Sequence, residues 1–286
     1  METFAQSLVS GVLTGALYAM IGIGLTVVFG VMRIINLAHG EMVMLGMFGA
    51  FWGQKLWKLD PFVSLLVWTP LMFVAGVLLY RLLLRRIIPG GELNTLLYTA
   101  GLSLLVANLA LLAWTGDYRT ISLSYGVTVR PFGIAIAVPL AIAFVLAILI
   151  TVTLGLFLSR TNLGRAIRAT SQNPEASVLM GIDVERVAMV TFGLGTALAG
   201  AAGVLLAPSL YLYPTVGELL IVKCFVIVVL GGLGSVPGAI AGGILLGVVE
   251  SLGAVYVSGT YKDGIGFVLF LAVLLYRPSG LFGAGR

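Results

Sequence analysis

The chain opens on the uncharged run TFAQSLVSGVLTGALYAMIGIGLTVVFGVM, residues 3–32, which is long enough to cross a bilayer as one α-helix. Further runs without Asp, Glu, Lys or Arg follow at 61–80, 93–116, 131–159, 187–217 and 224–249. Lipid offers the backbone no hydrogen-bond partners, so runs of this length must be helical. The alternating pattern of a transmembrane barrel is missing from the sequence. We therefore expect an all-α polytopic membrane protein.

The overall composition excludes a soluble protein. Hydrophobic residues make up 60% of the chain and charged residues only 9%, whereas soluble domains carry about 25% charged residues. The net charge of +5 does not indicate a nucleic-acid partner, because the positive residues lie at the ends of apolar runs. The expected surroundings are a lipid bilayer, and residues 1–286 are expected to form a single transmembrane domain.

The apolar runs predict a bundle of eight or nine transmembrane helices. The last long run is interrupted by glycine, so its two pieces are either two short crossings or one crossing and a re-entrant half-helix. The helices are expected near residues 5–29, 42–57, 62–84, 93–114, 134–158, 187–208, 219–233, 238–257 and 264–277.

The distribution of Lys and Arg predicts the orientation of the chain. Cytoplasmic loops carry an excess of these residues, which favours a cytoplasmic location for the connection 159–186 and for the C-terminus. The N-terminus then lies outside with nine crossings and inside with eight. The residues assigned to the cytoplasm are Arg81, Arg85, Arg86, Arg160, Arg165, Arg168, Arg186, Arg277 and Arg286, and those assigned outside are Lys55, Lys58, Arg119, Arg130 and Lys262.

Small residues recur at a spacing of four, which places them on one helix face and lets two backbones approach closely. This pattern predicts helix packing or subunit contact. The rows are Gly11 and Gly15; Gly195, Ala199 and Gly203; and Ala239, Gly243 and Gly247.

Several kinds of chemistry are excluded by missing motifs. The sequence has no G-x-x-x-x-G-K-[ST] loop, so this chain should not hydrolyse ATP itself. One histidine and one cysteine cannot build a typical zinc site, and no nucleophile elbow is present. Acidic residues and histidine are too sparse within the apolar runs to indicate a proton relay. We expect no catalytic residue, no metal and no cofactor bound by this chain.

The first polar feature is the segment GVMRIINLAHGE, residues 30–41, between two apolar runs. Asn36, His39 and Glu41 are costly to place between lipid-depth segments unless they have partners. One interpretation is a broken helix that lines a transport path. The alternative is an interfacial loop whose polar groups meet lipid headgroups.

The second polar feature is the connection 159–186, which predicts two short helices outside the membrane. Residues 164–171 can form a basic helix, and Asn173 can cap a second helix with Pro174 at its first position. A short capped helix that exposes small and apolar residues suits docking into a groove on a partner. The alternative is a solvated connector. The docking residues are predicted to be Gly164, Arg165, Arg168, Asn173, Pro174, Glu175, Ala176, Met180 and Gly181.

The third polar feature is the glycine-rich break 231–238, which Lys223 precedes. Interrupted segments in both halves of a chain point to a transporter's central site, although no internal repeat supports that pairing here. The alternative is a plain turn between two short helices. The predicted path residues are Asn36, His39, Glu41, Lys223, Gly231 and Gly234.

Ordered blocks along the chain resemble the branched-chain amino acid ABC transporter permease family, and in particular its LivH-type subunit. The block NLAHGE at 36–41 favours that subunit over its partner subunit. The other blocks are GALYAM at 15–20, GRAIRA at 164–169, NPEA at 173–176, MGI at 180–182, KCF at 223–225 and GGLGSVPGA at 231–239.

The resemblance implies an ATP-driven importer in the bacterial inner membrane. This chain would pair with a second homologous permease chain, and two cytoplasmic ATPase subunits would bind ATP and Mg. A periplasmic substrate-binding protein would deliver the cargo. The implied cargo is branched-chain amino acids, and related systems carry urea, short amides or other amino acids. The segment 164–182 would couple the permease to the ATPases.

Three other classes of function compete with this interpretation. An ion-coupled secondary transporter would need no ATPase. An uncoupled channel for urea or similar solutes would show downhill flux without ATP. A membrane scaffold would show neither flux nor stimulated ATP hydrolysis.

Overall fold

The computed structural model describes residues 2–277 and 280–282, with the side chain of Phe132 excepted, so Arg286 lies outside the described residues. The helices are α1 (Glu2–Met32), α2 (His39–Trp57), α3 (Leu65–Leu79), α4 (Arg85–Ile87), α5 (Glu92–Trp114), α6 (Val138–Arg160), α7 (Asn162–Gln172), α8 (Pro174–Leu179), α9 (Val184–Leu206), α10 (Val216–Gly231), α11 (Val236–Tyr256) and α12 (Lys262–Tyr276). A π-helical turn, Tyr80–Leu84, joins α3 to α4, and a 3-10 turn, Ile88–Gly90, follows α4.

A small antiparallel ribbon lies in the connection between α5 and α6. Strand β1 (Thr128–Val129) pairs with β2 (Ile136–Ala137), and a 3-10 turn, Pro131–Gly133, joins them. The Tyr125 hydroxyl in this connection donates a hydrogen bond to the Asp60 carboxylate, which ties it to the α2–α3 loop. Burial, together with this hydrogen bond, raises the pKa of Tyr125 above its usual value.

The all-α membrane fold is confirmed, with fewer independent spans than expected. Within the described residues, six helical segments are long and apolar enough to cross a membrane alone, rather than eight or nine. Helices α10 and α12 have 16 and 15 residues, which is shorter than a bilayer core requires. Helix α2 has 19 residues, but it is too polar to count among the six segments. The six are α1, α3 with its extension to Gly90, α5, α6, α9 and α11.

The two ends of the chain lie at opposite ends of the bundle. Val31, near the end of α1, packs with Ile167 of α7, whereas Gln6 exchanges two 2.7 Å hydrogen bonds with the backbone of Ala135 before α6. The described C-terminal residues lie at the α7–α8 end, where the Phe282 N–H donates to the Gly231 carbonyl at 3.1 Å. This is the arrangement that nine helices running up and down would produce.

Wherever the structure describes them, the arginines expected in the cytoplasm gather at the α7–α8 end. Arg85 forms a 2.8 Å ion pair with Glu185 at the start of α9. At the other end, Arg119 pairs through its backbone with Leu212, and its guanidinium lies over the ring of Trp52. The side of the membrane that each end faces stays a prediction.

Close backbone contacts through small residues hold the buried centre together. The predicted rows on α1 and α11 pack against each other, with Gly15 facing Gly243. In the remaining predicted row, on α9, Gly195 packs against Gly24 of α1, and Gly203 packs against Val43 of α2. Helices α1 and α9 are mostly buried as a result, while α3, α5 and α6 form an outer layer with exposed apolar faces.

The contact between α1 and α11 should not tolerate a larger side chain. A Cβ atom at Gly15 would lie 2.8 Å from the Gly243 carbonyl oxygen. We therefore expect Gly15→Leu to destabilise the protein by about 3 kcal/mol. The matched control is Gly155→Leu on α6, because a Cβ atom there meets no other atom within 4 Å. Thermal unfolding of the purified protein measures both. Equal melting temperatures would contradict this packing.

Candidate transport site

The segment between α1 and α2 is a buried break in the helical backbone. Arg33 adopts a positive φ of 51°, which ends α1. The Asn36 side-chain oxygen accepts a hydrogen bond from the Ala38 N–H at 3.1 Å. Thr99 of α5 bridges the break, because its hydroxyl accepts from the Leu37 N–H at 3.3 Å and donates to the Ile35 carbonyl at 3.2 Å. These bonds satisfy backbone groups that helix geometry leaves free.

The break lies well inside the bundle. Thr99 is about 10 Å along α5 from its start at the α7–α8 end, taking 1.5 Å per residue. His39 begins α2, and its Nε2 donates to the Ile21 carbonyl at 3.1 Å, roughly 16 Å before the end of α1. Asn36 and His39 are both buried. This geometry matches the broken-helix interpretation rather than a loop among headgroups.

Glu41 occupies the first turn of α2 and is 1% exposed. Its Oε1 accepts a hydrogen bond from the Ser103 hydroxyl of α5 at 3.2 Å. Its Oε2 is buried and has no hydrogen-bond partner among the described residues. The carboxyl group lies against Gly217, where a Cβ atom would come within 2.5 Å of the Glu41 carboxyl carbon.

A second break precedes α10, in the gap between the helices expected at 187–208 and 219–233, and the sequence analysis missed that this gap is partly buried. The connection 207–215 buries Leu212 and Pro214 but exposes Ser209, Tyr211 and Thr215, and Leu212 pairs with Arg119 at the far end of the bundle. Helix α10 starts roughly 12 Å from the level of the Ile21 carbonyl toward that end, because the Cys224 thiol two turns further on contacts this carbonyl at 3.6 Å. The residues overlooked here are Gly217 and Glu218. Their signal was the pair Gly-Glu after an interrupted helix, which also occurs at Gly40-Glu41.

The predicted path residues lie in three places. Asn36, His39 and Glu41 come together at the first break. Gly231 and Gly234 form the α10–α11 turn at the α7–α8 end, where Gly234 has a φ of 84° and lies beside Gly30. The break 231–238 is therefore a turn at one end of the bundle, as the alternative interpretation predicted.

Lys223 belongs to the third place, a buried charge cluster. Its ammonium pairs with Glu250 of α11 and with Asp263 of α12, the latter at 2.7 Å, and it lies over the Tyr18 ring of α1 at 5.0 Å from the ring centre. A cavity of about 140 Å³ with mostly apolar walls adjoins the cluster. Four helices meet at this one ammonium, so the cluster can fix their positions.

The connection 159–186 folds as two capped helices. The Thr161 hydroxyl accepts from the Gly164 N–H at 2.9 Å and caps α7. The Asn173 side chain accepts from the Ala176 N–H at 3.0 Å, which confirms the predicted cap of α8. Gly181 follows α8 with a φ of 79°.

Helix α8 exposes apolar side chains outside the apolar spans. Leu179 and Met180 are 88% and 82% exposed. Arg165, Arg168, Glu175 and Ala176 are exposed beside them. An apolar tip flanked by basic side chains is a surface suited to a protein partner. In the described part of the chain, no group of three His, Cys, Asp or Glu residues could hold a metal ion.

Removing the shared ammonium should destabilise the bundle. We expect Lys223→Met to cost about 3–5 kcal/mol, because Glu250 and Asp263 lose their counter-charge and Glu250 is buried. In the double variant Lys223→Met/Glu250→Gln, part of the lost stability should return, because the buried carboxylate is gone. The control is Lys262→Met, which removes an exposed charge one residue from Asp263. Thermal unfolding of the three variants measures this. A Lys223→Met melting temperature equal to that of Lys262→Met would contradict the assignment.

The family model described as "Branched-chain amino acid transport system / permease component" matches residues 7–274. The chain is 35% identical to the high-affinity branched-chain amino acid transport system permease protein BraD of Pseudomonas aeruginosa, over 98% of this chain and 96% of that protein. It is 33% identical to LivH of Escherichia coli K12 over the same shares, and 30% identical to a probable LivH of Methanocaldococcus jannaschii over 93% and 89%. No solved structure matches significantly.

These matches agree with the resemblance seen in the ordered sequence blocks, and they cover nearly the whole chain. Together with the apolar helices, they identify a multi-pass transport protein of the inner membrane. The chain therefore belongs to the permease family of branched-chain amino acid transport systems.

Proposed function

We propose that this chain is the membrane-spanning subunit of an ATP-driven importer that carries branched-chain amino acids. The names of the relatives support the cargo. The observation that carries the proposal is the exposed tip of α8, because this chain lacks a phosphate-binding loop and needs a separate motor to dock against.

The partners follow from this division of labour. Two cytoplasmic ATPase subunits bind ATP and Mg, so this chain needs no cofactor of its own. A second homologous permease chain completes the membrane unit, and a periplasmic binding protein delivers the cargo. Closure of the ATPase dimer pushes α7 and α8, and the push reaches α1 and α9 through the packing of Ile167 with Val31 and Val187.

The transport path runs beside the break at 33–38, between the two permease chains. Asn36, His39 and Glu41 are the polar groups of this break, and weak contacts there suit rapid passage. An ion-coupled secondary transporter is less well supported, because it leaves the exposed tip of α8 without a partner. Urea, short amides or other amino acids remain the alternative cargoes.

The docking role of α8 can be tested with one charge. In the reconstituted importer, we expect Leu179→Asp to weaken ATPase docking by about tenfold and to lower cargo-stimulated uptake accordingly, since a carboxylate enters an apolar groove. A bulky Ala176→Trp should likewise uncouple ATP hydrolysis from uptake. The control is Leu93→Asp, an exposed residue at the same end of the bundle on α5. Membrane levels of all variants should stay equal.

Two outcomes would overturn the proposal. Normal coupled uptake in both α8 variants would remove the docking role. Full uptake by the permease chains without ATPases would replace the ATP-driven mechanism with an ion-coupled or channel mechanism. The cargo itself is identified by measuring which ligand the cognate binding protein binds and delivers.

A further inference from the structure

Two parts of this chain repeat the same design in opposite directions. Helix α1 ends at a buried break, and α2 follows with Gly40-Glu41-Met42 in its first turn. Helix α9 ends at a partly buried break, and α10 follows with Gly217-Glu218-Leu219 in its first turn. Because α1 runs toward the α7–α8 end and α9 runs away from it, the repeat is inverted. Inverted repeats with discontinuous helices place transporter binding sites at their junction.

The two first turns meet in the structure. Gly40 lies directly against the backbone of Gly217, so close that a Cβ atom at Gly40 would collide with the Gly217 carbonyl group. On the other side, the Glu41 carboxyl fills the space where a side chain at Gly217 would stand. Ser103 of α5 closes a third side through its hydrogen bond to Glu41. The junction is thus built from α2, α10 and α5.

The junction holds two carboxyl groups without a counter-charge. Glu41 is buried and its Oε2 has no partner in the described part of the chain, while Glu218 is exposed on the adjoining surface of α10. Within the described residues, neither carboxylate forms an ion pair with Lys, Arg or His. A buried carboxylate without a counter-charge is unfavourable, so the group is either protonated or completed by a cation.

Positive potential lies beside these carboxylates. The first N–H groups of a helix have no partner within it, and two helix N-termini converge here. Neither α2 nor α10 has a side-chain cap at its N-terminus. The N–H groups of His39, Val216 and Glu218 already bond to preceding carbonyls, and the other first-turn N–H groups have no partner among the described residues. The junction therefore offers a carboxyl oxygen next to N–H donors, which complements an ammonium and a carboxylate on one small molecule.

We propose that the α2–α10 junction recognises the zwitterionic backbone of an amino-acid cargo. Glu41 Oε2 accepts the ammonium, Glu218 attracts it at the entrance, and the N-terminal turns of α2 and α10 receive the carboxylate. This inference rests on the proposed import function and deepens it. It assigns the cargo to α-amino acids, since urea and short amides carry no ammonium for Glu41.

Charge-selective labelling tests the junction without requiring transport. In a Cys224→Ala background, Glu218→Cys in the complete importer in lipid nanodiscs is treated with aminoethyl or sulfonatoethyl methanethiosulfonate, each rate normalised to a free thiol. We expect the cationic reagent to react about tenfold faster, because Glu41 attracts it. Adding Glu41→Gln should abolish that preference. Leu149→Cys, exposed in the middle of α6, is the lipid-facing control and should not react.

Protection by small molecules tests the zwitterion. Free leucine at high concentration should slow labelling of Glu218→Cys severalfold. Isopentylamine should protect in part, whereas urea and 4-methylpentanoate should not protect. An absence of labelling, equal rates for the two reagents while Glu41 is intact, or equal protection by urea would each overturn the proposal.

The labelling result and the proposed function can fail separately. If the importer takes up leucine and both reagents react equally, the function stands and the junction is not an ammonium site. If the importer takes up urea while labelling keeps its cationic preference and leucine still protects, the acidic junction stands and the cargo of the proposed function is wrong.

Discussion

The break at residues 33–38 is the constraint on which the rest of the structure depends. Non-helical backbone at lipid depth cannot be hydrated, so its polar groups must find partners inside the protein. Asn36 and Thr99 supply these partners. Because the break is satisfied there, α2 starts in the interior, and Glu41 is buried against α10 instead of facing water.

Small residues let the central helices pack closely around this break. Gly15 and Gly243 bring α1 and α11 together, and Gly40 and Gly217 bring α2 and α10 together. Van der Waals contact and interhelical polar bonds hold helices together in lipid, because the hydrophobic effect gives little there. The outer helices carry large exposed apolar side chains, which suit lipid or a second permease chain. Among the described helices, α7 and α8 lie outside this bundle, and α8 leads into the exposed tip.

Much of the fold could be predicted from the sequence, and the reasons are local. Uncharged runs reveal helices, residues spaced by four reveal a packing face, and Asn173-Pro174 reveals a capped helix start. The centre was harder to predict. The run 187–217 is uncharged, so its charge pattern does not show that the gap between the expected helices 187–208 and 219–233 is partly buried. The glycine-rich segment 231–238 suggested a break at depth, but it is a turn at one end of the bundle. Lys223, Glu250 and Asp263 lie on three different helices, so their ion pairs depend on how those helices pack and cannot be predicted from the local sequence.

A cryo-EM structure of the importer in lipid nanodiscs would show directly whether the break is buried. We expect the backbone at Asn36 to lie about 10 Å below the headgroup layer on the α7–α8 side, with Thr99 bonded to the neighbouring backbone. We also expect the first turns of α2 and α10 to be in contact. A continuous α2 that begins at the membrane surface, with Asn36 among headgroups, would contradict a buried break.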